Sequence, residues 1–364
     1  MTEEDQPGSA ARRALTLGDY AAQARAVLDP AVRDFIDGGA GDERALAANL
    51  GAFERTRLRP RVLSGVSEAD TATEILGRRW AAPLAVAPLA YHTMVHPDGE
   101  TATVRAAGAA GATVVVSTFA GKTFEELAAA ATAPLWLQVY CFRDRSVTQG
   151  LIERAERAGF EALVLTVDTP RLGTRRRDLR NGFRLPPAVA PANLPGVPEG
   201  YASPADHSRT ALDPALDWSV IPWLRSVSDL PILLKGILTG EDAALALRAG
   251  VDGVVVSNHG GRQLDGAPAT LEALAEVSAA VAGRCPVLLD GGVRRGADVL
   301  AALALGADAV LLGRPVLHGL AVDGREGVAR VLDIVTEELR EAMVLTGTRS
   351  PAHAGPALVG ALPS

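Results

Sequence analysis

Residues 251–266 read VDGVVVSNHGGRQLDG, a short run of β-branched residues that stops at Ser257-Asn258-His259-Gly260-Gly261-Arg262. An unbroken apolar run of this length, bounded by glycine, predicts a strand buried on both faces, as in parallel sheets covered by helices. A loop follows, and its paired glycines let the backbone pass close to a ligand. His259 can take a proton near neutral pH, and Arg262 can grip a carboxylate with two parallel hydrogen bonds. In an α/β barrel the chemistry sits on the loops after the strands. A lone His and a lone Arg could equally cap the strand, so the surrounding chain decides.

The same phrase recurs. A helix ending in Ala-Gly or Leu-Gly, a short link and a buried strand appear in AAGATVVVS (around 107–117), RAGFEALVLT (157–166), RAGVDGVVVS (248–257) and ALGADAVLLG (304–313). LAVA (84–87), LWLQV (135–139), PILLK (231–235) and PVLLD (286–290) bring the number of strands to eight. Eight parallel strands alternating with helices predict a single (β/α)8 barrel of the α/β class. An open doubly wound sheet would need a glycine-rich turn after its first strand, and no GxGxxG follows residue 87.

The frame agrees. The chain has 364 residues, which α/β barrels with insertions reach as one domain. Apolar residues make up 48% and charged residues 22%, with a net charge of −7, which argues for a soluble globular protein without the basic footprint of a nucleic-acid binder. The start, MTEEDQPGSA, is no secretory signal, and no run reaches about 18 apolar residues, so a cytoplasmic protein with no membrane partner is expected. Cys141 and Cys285 form neither a disulfide framework nor a metal pattern, and six scattered histidines show no ligand spacing; no metal is expected. His92 and His96 lie four apart without companions and read as structural, as do Met94, Trp80 and Trp136.

Residues 1–14 read as a disordered tail, 15–350 as the barrel and 351–364 as a C-terminal tail. Thr16 caps a first helix through Val27, Pro30 opens a second that Gly38-Gly39 ends, and a third runs from about Asp42 to Phe53; these helices are expected to cover a barrel end. Residues 71–82 predict a small hairpin. Residues 181–214 carry seven prolines and almost no periodicity, predicting a lid over the barrel mouth within an insertion at about 179–215, part of it poorly ordered.

Polar residues follow nearly every strand: Ser117; Gln138 and Tyr140; Thr166 and Asp168; Lys235; Ser257, His259 and Arg262; Asp290 and Arg294; Gly313 and Arg314. Such a ring on one face is the pattern of a site, because polar groups cost free energy unless partnered. The last two loops, Asp290-Gly291-Gly292 with Arg294 and Gly313-Arg314-Pro315, occupy the positions where barrels bind phosphate.

The motifs SNHGGRQLDGAPAT, LPILLKGI, LTVDTPRLG, CPVLLDGGVRRG and LGRPV together resemble the FMN-dependent 2-hydroxy-acid oxidase and dehydrogenase family, whose members include glycolate oxidase, lactate oxidase and mandelate dehydrogenase. The likeness runs from about Leu17 to about Arg349 and within the family looks nearest to the bacterial mandelate and 4-hydroxymandelate oxidases. It implies FMN as cofactor, a small 2-hydroxy acid and O2 as reactants, and a homo-oligomer, tetramer or octamer. It implies that His259 is the active-site base, Asp168 the carboxylate that orients it and raises its basicity, Arg175 and Arg262 the substrate-carboxylate clamp, and Tyr140 a phenol bonding the substrate. Pro88, Leu89 and Ala90 would lie along the flavin edge, Ser117, Gln138 and Thr166 would bond the ring, and Lys235 would stand by N1 and O2. Asp290 would meet the ribityl chain and Gly292, Arg294, Gly313 and Arg314 the phosphate, with Ser257 and Gly291 completing the set. Ser117 and Thr166 could equally be satisfied strand-end hydroxyls, and Asp168 a loop cap.

One position departs from the family. Most members carry a Tyr in the first helices that donates to the substrate carboxylate, and in RDFIDGGAGD that position is Phe35. With Phe119 as a second aromatic wall, this implies an (S)-2-hydroxy acid with an aryl, mandelate-like side chain, oxidised to the 2-keto acid with release of H2O2. A dehydrogenase using a quinone or protein acceptor, a short substrate such as lactate or glycolate, an FMN-dependent isomerase and a phosphate-binding pseudoenzyme stay open as alternatives.

Overall fold

A computed structural model describes residues 14–194 and 209–360. Three helices come first: α1 (Leu17–Val27), α2 (Pro30–Asp37) and α3 (Arg44–Arg55). Their starts follow the sequence signals. Thr16 and Asp19 form a reciprocal capping box on α1, and the Asp29 side chain caps α2 ahead of a proline in its first turn. An antiparallel hairpin, β1 (Thr73–Ile75) with β2 (Arg78–Trp80), precedes the barrel.

The barrel strands are β3 (Leu84–Val86), β4 (Thr113–Val116), β5 (Leu135–Val139), β6 (Ala162–Thr166), β7 (Ile232–Ile237), β8 (Gly253–Val256), β9 (Val287–Leu289) and β10 (Ala309–Leu312). All eight pair in parallel and in chain order, with β10 closing on β3. Between them run α4 (Gly99–Ala109), α5 (Phe124–Ala130), α6 (Arg145–Arg157), α7 (Arg176–Asn181), α8 (Val220–Val227), α9 (Gly240–Arg248), α10 (Thr270–Val281) and α11 (Gly296–Ala304), and α12 (Arg314–Thr346) follows β10, broken at Asp323-Gly324. The expected (β/α)8 barrel is what forms.

Alternation along the strands divides the buried residues into two sets. One set, including Ala85, Val115, Trp136, Val164, Leu233, Val255, Leu288 and Leu311, clusters with Ile75 and Trp80 of the hairpin. The hairpin therefore plugs one end of the barrel, with the Trp80 and Trp136 rings 5.5 Å apart. The other set packs against the surrounding helices. The N-terminal helices do not all cover a barrel end: α1 lies along α12, whereas α2 and α3 border the strands' C-terminal rim.

Residues 1–13, the bulk of the expected N-terminal tail, and 195–208, the middle of the expected lid with its expected poor order, lie outside the described residues. The near side of the lid is anchored: Leu185 and Val189 are buried against Tyr91, and Phe183 stacks on Phe35 at 4.4 Å. Its far side is held by a bridge between Leu212 and Phe142. Residues 351–360 are docked, through two 3-10 turns and a bridge from Val359 to Leu58.

One buried polar pair fastens α3 to the loop after β8. Asn49 and Asn258 exchange amide hydrogen bonds of 2.8 Å, and Asn49 Oδ1 also accepts from Thr270 N. Removing one partner leaves buried groups unpaired at about 1–3 kcal/mol. Asn49→Ala is therefore expected to lower stability by that order, read as a lower denaturant midpoint with an unchanged m-value.

Candidate active site

Side chains from most of the barrel strands and from α2 converge on one cavity at the C-terminal rim. Its volume is about 180 Å3, more than ten times the roughly 10–15 Å3 that one water needs. It is lined by Phe35, Pro88, Leu89, Ala90, Ser117, Phe119, Gln138, Tyr140, Thr166, Arg175, Lys235, His259, Arg262, Asp290, Gly291, Gly292, Arg294, Gly313 and Arg314. Of the residues singled out in the sequence, Asp168 and Ser257 stand one layer behind, as supports.

His259 has a left-handed backbone (φ 59°), a strained conformation for a side chain this size, and is followed by Gly260 and Gly261 with φ of 63° and 75°. This turn swings the imidazole back over the barrel. Its Nδ1 lies 2.9 Å from Asp168 Oδ1, so Nδ1 carries the proton and Nε2 is left to act on a ligand. Asp168 thus does more than cap its own loop. Gly236, at a bulge in β7 with φ 116°, makes room for it: a Cβ there would meet the Asp168 side chain at 2.6 Å.

Asp168 and His259 are tuned together. Burial raises the Asp168 carboxyl, but His259 and Lys235 outweigh this and hold it below the usual carboxylate range. Burial is the largest influence on His259 and lowers it, Asp168 pulls it back up, and Lys235 and Arg175 add to the lowering. The net direction is down. Asp168 does raise imidazole basicity, as the sequence suggested, but desolvation and two cations more than cancel it.

Lys235 is the fixed positive charge of the floor. Its Nζ lies 2.9 Å from Asp290 Oδ2 and 2.9 Å from Ser257 Oγ, and Asp290 and Asp168 keep it above the ordinary lysine value despite burial. Ser117, Gln138 and Thr166 form a chain across the ends of β4, β5 and β6: Gln138 Nε2 donates to Thr166 Oγ1 at 3.0 Å and its Oε1 accepts from Ser117 at 3.3 Å.

The arginines occupy the opposite wall. Arg262 Nη1 donates to the carbonyls of Phe35 and Gly38 at 2.8 and 2.7 Å, and Arg314 to those of Ile36, Gly38 and Gly260. Arg175 and Arg262 flank the Phe35 ring at 5.7 and 5.3 Å. Arg175, Arg262, Arg294 and Arg314 all titrate below the ordinary arginine value of 12.5, chiefly through burial; Arg314 falls to about 10, with Arg294 pushing it further down. Four buried guanidiniums round one space mark a shortage of anions, and a dianionic phosphate with a carboxylate would supply them. The buried Arg175 Nε and Asp290 Oδ1 lack hydrogen-bond partners among the described residues, which also fits a polar ligand in the cavity. The glycines at the phosphate position have mixed duties. A Cβ on Gly292 would strike the Asn49 carbonyl at 2.5 Å, so it serves contact with α3, whereas a Cβ on Gly313 would meet only Leu89 and Ala87 at ordinary contact distances of 3.7 and 3.9 Å.

Several contributors were not singled out in the sequence, although Gln263, Thr169 and Leu172 lie inside the motifs quoted there. Gln263 ties the rim together, donating to Asp168 O at 2.6 Å and accepting from Gly173 N at 3.0 Å. Thr169, Tyr91, Leu172 and Leu212 also line the cavity.

A profile described as FMN-dependent dehydrogenase matches residues 24–361. The chain is 47% identical over 343 residues to the peroxisomal (S)-2-hydroxyacid oxidase GLO3 of Arabidopsis thaliana, covering 92% of this chain and 93% of that protein. It is 46% identical over 340 residues to the glycolate oxidase of Spinacia oleracea, covering 92% of each. Among solved structures, mandelate oxidase with (S)-4-hydroxymandelic acid superimposes with a TM-score of 0.91 at 46% identity, covering 95% of this chain and 98% of that one.

A base must be neutral to accept a proton. Because His259 titrates below 6.5, its neutral form persists as pH falls through 6.5 and is lost only below it. Tyr140 is raised by burial to about 12, so its phenol keeps its proton across the neutral and mildly alkaline range. The kcat/KM profile of a reaction using His259 as base is therefore expected to be flat from pH 7 to 9 with its acid limb below 6.5; a half-maximum at pH 8 would contradict the assignment.

Proposed function

Since this chain belongs to the FMN-dependent dehydrogenase family and its relatives are 2-hydroxy-acid oxidases, we propose that it oxidises an (S)-2-hydroxy acid with an aryl side chain to the 2-keto acid, with O2 as electron acceptor. The observation that carries the reading is the His259–Asp168 pair facing, across one cavity, two arginines that both lie against the Phe35 ring.

The substrate carboxylate binds to the guanidinium nitrogens of Arg175 and Arg262. Arg262 spends Nη1 on the carbonyls that end α2, so its remaining nitrogens serve the ligand and its position is fixed beforehand. The clamp presents the substrate hydroxyl-bearing carbon to His259. Nε2 takes the proton as the C–H bond is oxidised, and the ionised Asp168 stabilises the imidazolium that results. Desolvation holds His259 neutral beforehand, which keeps it ready as a base. Arg294, Arg314 and the Gly291-Gly292 and Gly313 loops would hold the phosphate of FMN, which when bound would supply the acceptor for the electron pair and the second of the two hydrogens lost from the alcohol, O2 being the terminal oxidant that leaves as H2O2. Lys235, held by Asp290 and Ser257, is a fixed positive charge on the cavity floor that would suit a reduced, anionic flavin. Pro88, Leu89 and Ala90 give the ring an apolar edge, and Ser117, Gln138 and Thr166 give it a polar one.

The aryl preference rests on the walls. Phe35 offers no hydroxyl to the carboxylate, and Phe183 covers one of its faces. Phe119 lies between Tyr91 and Tyr140, with ring centroids at 6.1 and 5.6 Å. Together with Leu172 and Leu212 they make an apolar mouth in which burying a phenyl group contributes about 1.5–3 kcal/mol. The mandelate oxidase crystals hold aryl acids such as (S)-mandelic acid, and the same class fits here.

The test is anaerobic bleaching of the purified yellow protein by (S)-mandelate, a ring-substituted mandelate, L-lactate and glycolate, followed by steady-state turnover in air. The aryl acids are expected to show the higher kcat/KM, and Phe35→Tyr to narrow the gap. A tenfold preference for lactate or glycolate over every aryl acid would sink the aryl reading, and slow reoxidation in air with rapid reoxidation by a quinone would sink the oxygen one. His259→Gln is expected to retain FMN and lose about 10²- to 10⁴-fold in the rate of flavin bleaching; a rate within twofold of wild type would remove His259 from the mechanism.

A further inference from the structure

We propose that Glu100, a buried carboxylate outside the cavity, is the positioning residue that sets the aromatic wall and with it the preference for aryl over short-chain acids. Glu100 stands in the first turn of α4 and is 3% exposed. Its Oε1 accepts two backbone N–H bonds of 2.9 Å each, from His92 in the loop after β3 and from Gly121 in the loop after β4. One oxygen thus fastens two neighbouring rim loops to each other. The residues beside these bonds are the ones that reach the ligand: Tyr91 precedes His92, Phe119 lies two residues before Gly121, and both line the cavity. Tyr91 N donates to Phe119 O at 3.2 Å, a third link between the two loops.

The junction is tightly built. Tyr91 has a left-handed backbone (φ 57°), which a residue other than glycine keeps only where its surroundings hold it there. The hold comes on the next residue: His92 N is bonded to Glu100, and His92 Nδ1 lies 2.9 Å from Thr103 Oγ1, one turn further along α4. Gly99 and Gly121 both approach Thr93 so closely that a Cβ would meet its side chain at 2.6 and 2.3 Å. The two loops and the start of α4 therefore close around Thr93, and Glu100 satisfies amides that this packing withdraws from water. What it fixes is the Tyr91–Phe119 spacing, 6.1 Å between ring centroids, and through Phe119 the contact with Tyr140 at 5.6 Å. Leu185 and Val189 of the lid pack on Tyr91, and Ala192 N donates to Ala120 O at 2.9 Å, so the near side of the lid is seated on the same junction. An aryl group lays its surface on these rings, whereas a side chain of one methyl or one hydrogen has little surface to offer them. The base and the clamp, His259, Arg175 and Arg262, stand on the loops after β6 and β8, apart from this junction. The inference rests on the aryl reading above.

Anaerobic bleaching of the holoenzyme counts only protein that carries flavin, so it reads selectivity even where loading falls. Glu100→Leu keeps a side chain of similar size and removes the acceptor of both bonds. The ratio of the second-order bleaching rates for (S)-mandelate and L-lactate is expected to fall about 2- to 12-fold, the scale of one aromatic contact, with the L-lactate rate within twofold of wild type. Glu100→Gln retains an oxygen that accepts the same two bonds and is expected to match wild type. Glu100→Asp, which draws the oxygen back by one methylene, carries the same expectation as Leu should the Leu protein not fold. An unchanged ratio in the Leu variant, or failing it the Asp variant, overturns the inference alone. So do rates for both acids that fall together, which would assign Glu100 to general stability, and a Gln variant that shifts as Leu does, which would assign the effect to its charge. Wild-type protein that bleaches faster with L-lactate than with every aryl acid overturns the aryl reading and this inference with it.

Discussion

The C-terminal end of α2 is held by two arginine side chains that arrive from two different barrel strands. Arg262, after β8, and Arg314, after β10, place their guanidiniums against the carbonyls of Phe35, Ile36 and Gly38. A helix end exposes carbonyls without intrahelical partners and carries partial negative charge, so cations there satisfy both needs. Together with the Asn49–Asn258 pair and the bonds of Asp265 to the start of α3, these arginine contacts fix the N-terminal helices over the rim. The same contacts set Phe35 against Arg175 and Arg262 and hold the Arg262 and Arg314 guanidiniums at fixed positions.

That arrangement concentrates positive charge where little negative charge balances it. Asp37, bonded to His318 at 2.8 Å, and Asp290, bonded to Lys235, offset it only in part. The polypeptide alone is therefore under electrostatic tension at this face, and an anion bound there relieves it. A ligand that binds only the native state adds to stability in proportion to its occupancy. The phosphate end of the cofactor can accordingly be regarded as part of what holds the rim together, as well as a handle for the ring.

Much of this was legible in the sequence because it is local. β-Branched runs between Ala-Gly links specify the eight strands, and the polar residue just past each strand falls on the cavity side by the geometry of a parallel barrel. Thr16, Asp29 and Pro30 announce their helices through capping within a few residues. What could not be read depends on distant partners. Asn49 is an unremarked helix residue until Asn258, 209 positions away, lies against it. Gln263 matters only because a loop after β6 passes beside it. The influence on His259 was read in part: Asp168 was visible as a partner, whereas the burial that reverses the net direction is a property of the assembled rim.

The hairpin plug has a consequence for traffic. Ile75 and Trp80 pack against the inward side chains of the strands and close the hairpin end of the barrel. Among the described residues, the place for cofactor, organic acid and keto acid alike is the cavity at the strands' C-terminal rim. Exchange at this site is consequently a queue: a keto acid lingering at the mouth blocks the next hydroxy acid, so the rate at which the opening clears, and not the chemistry alone, can set the pace of the cycle.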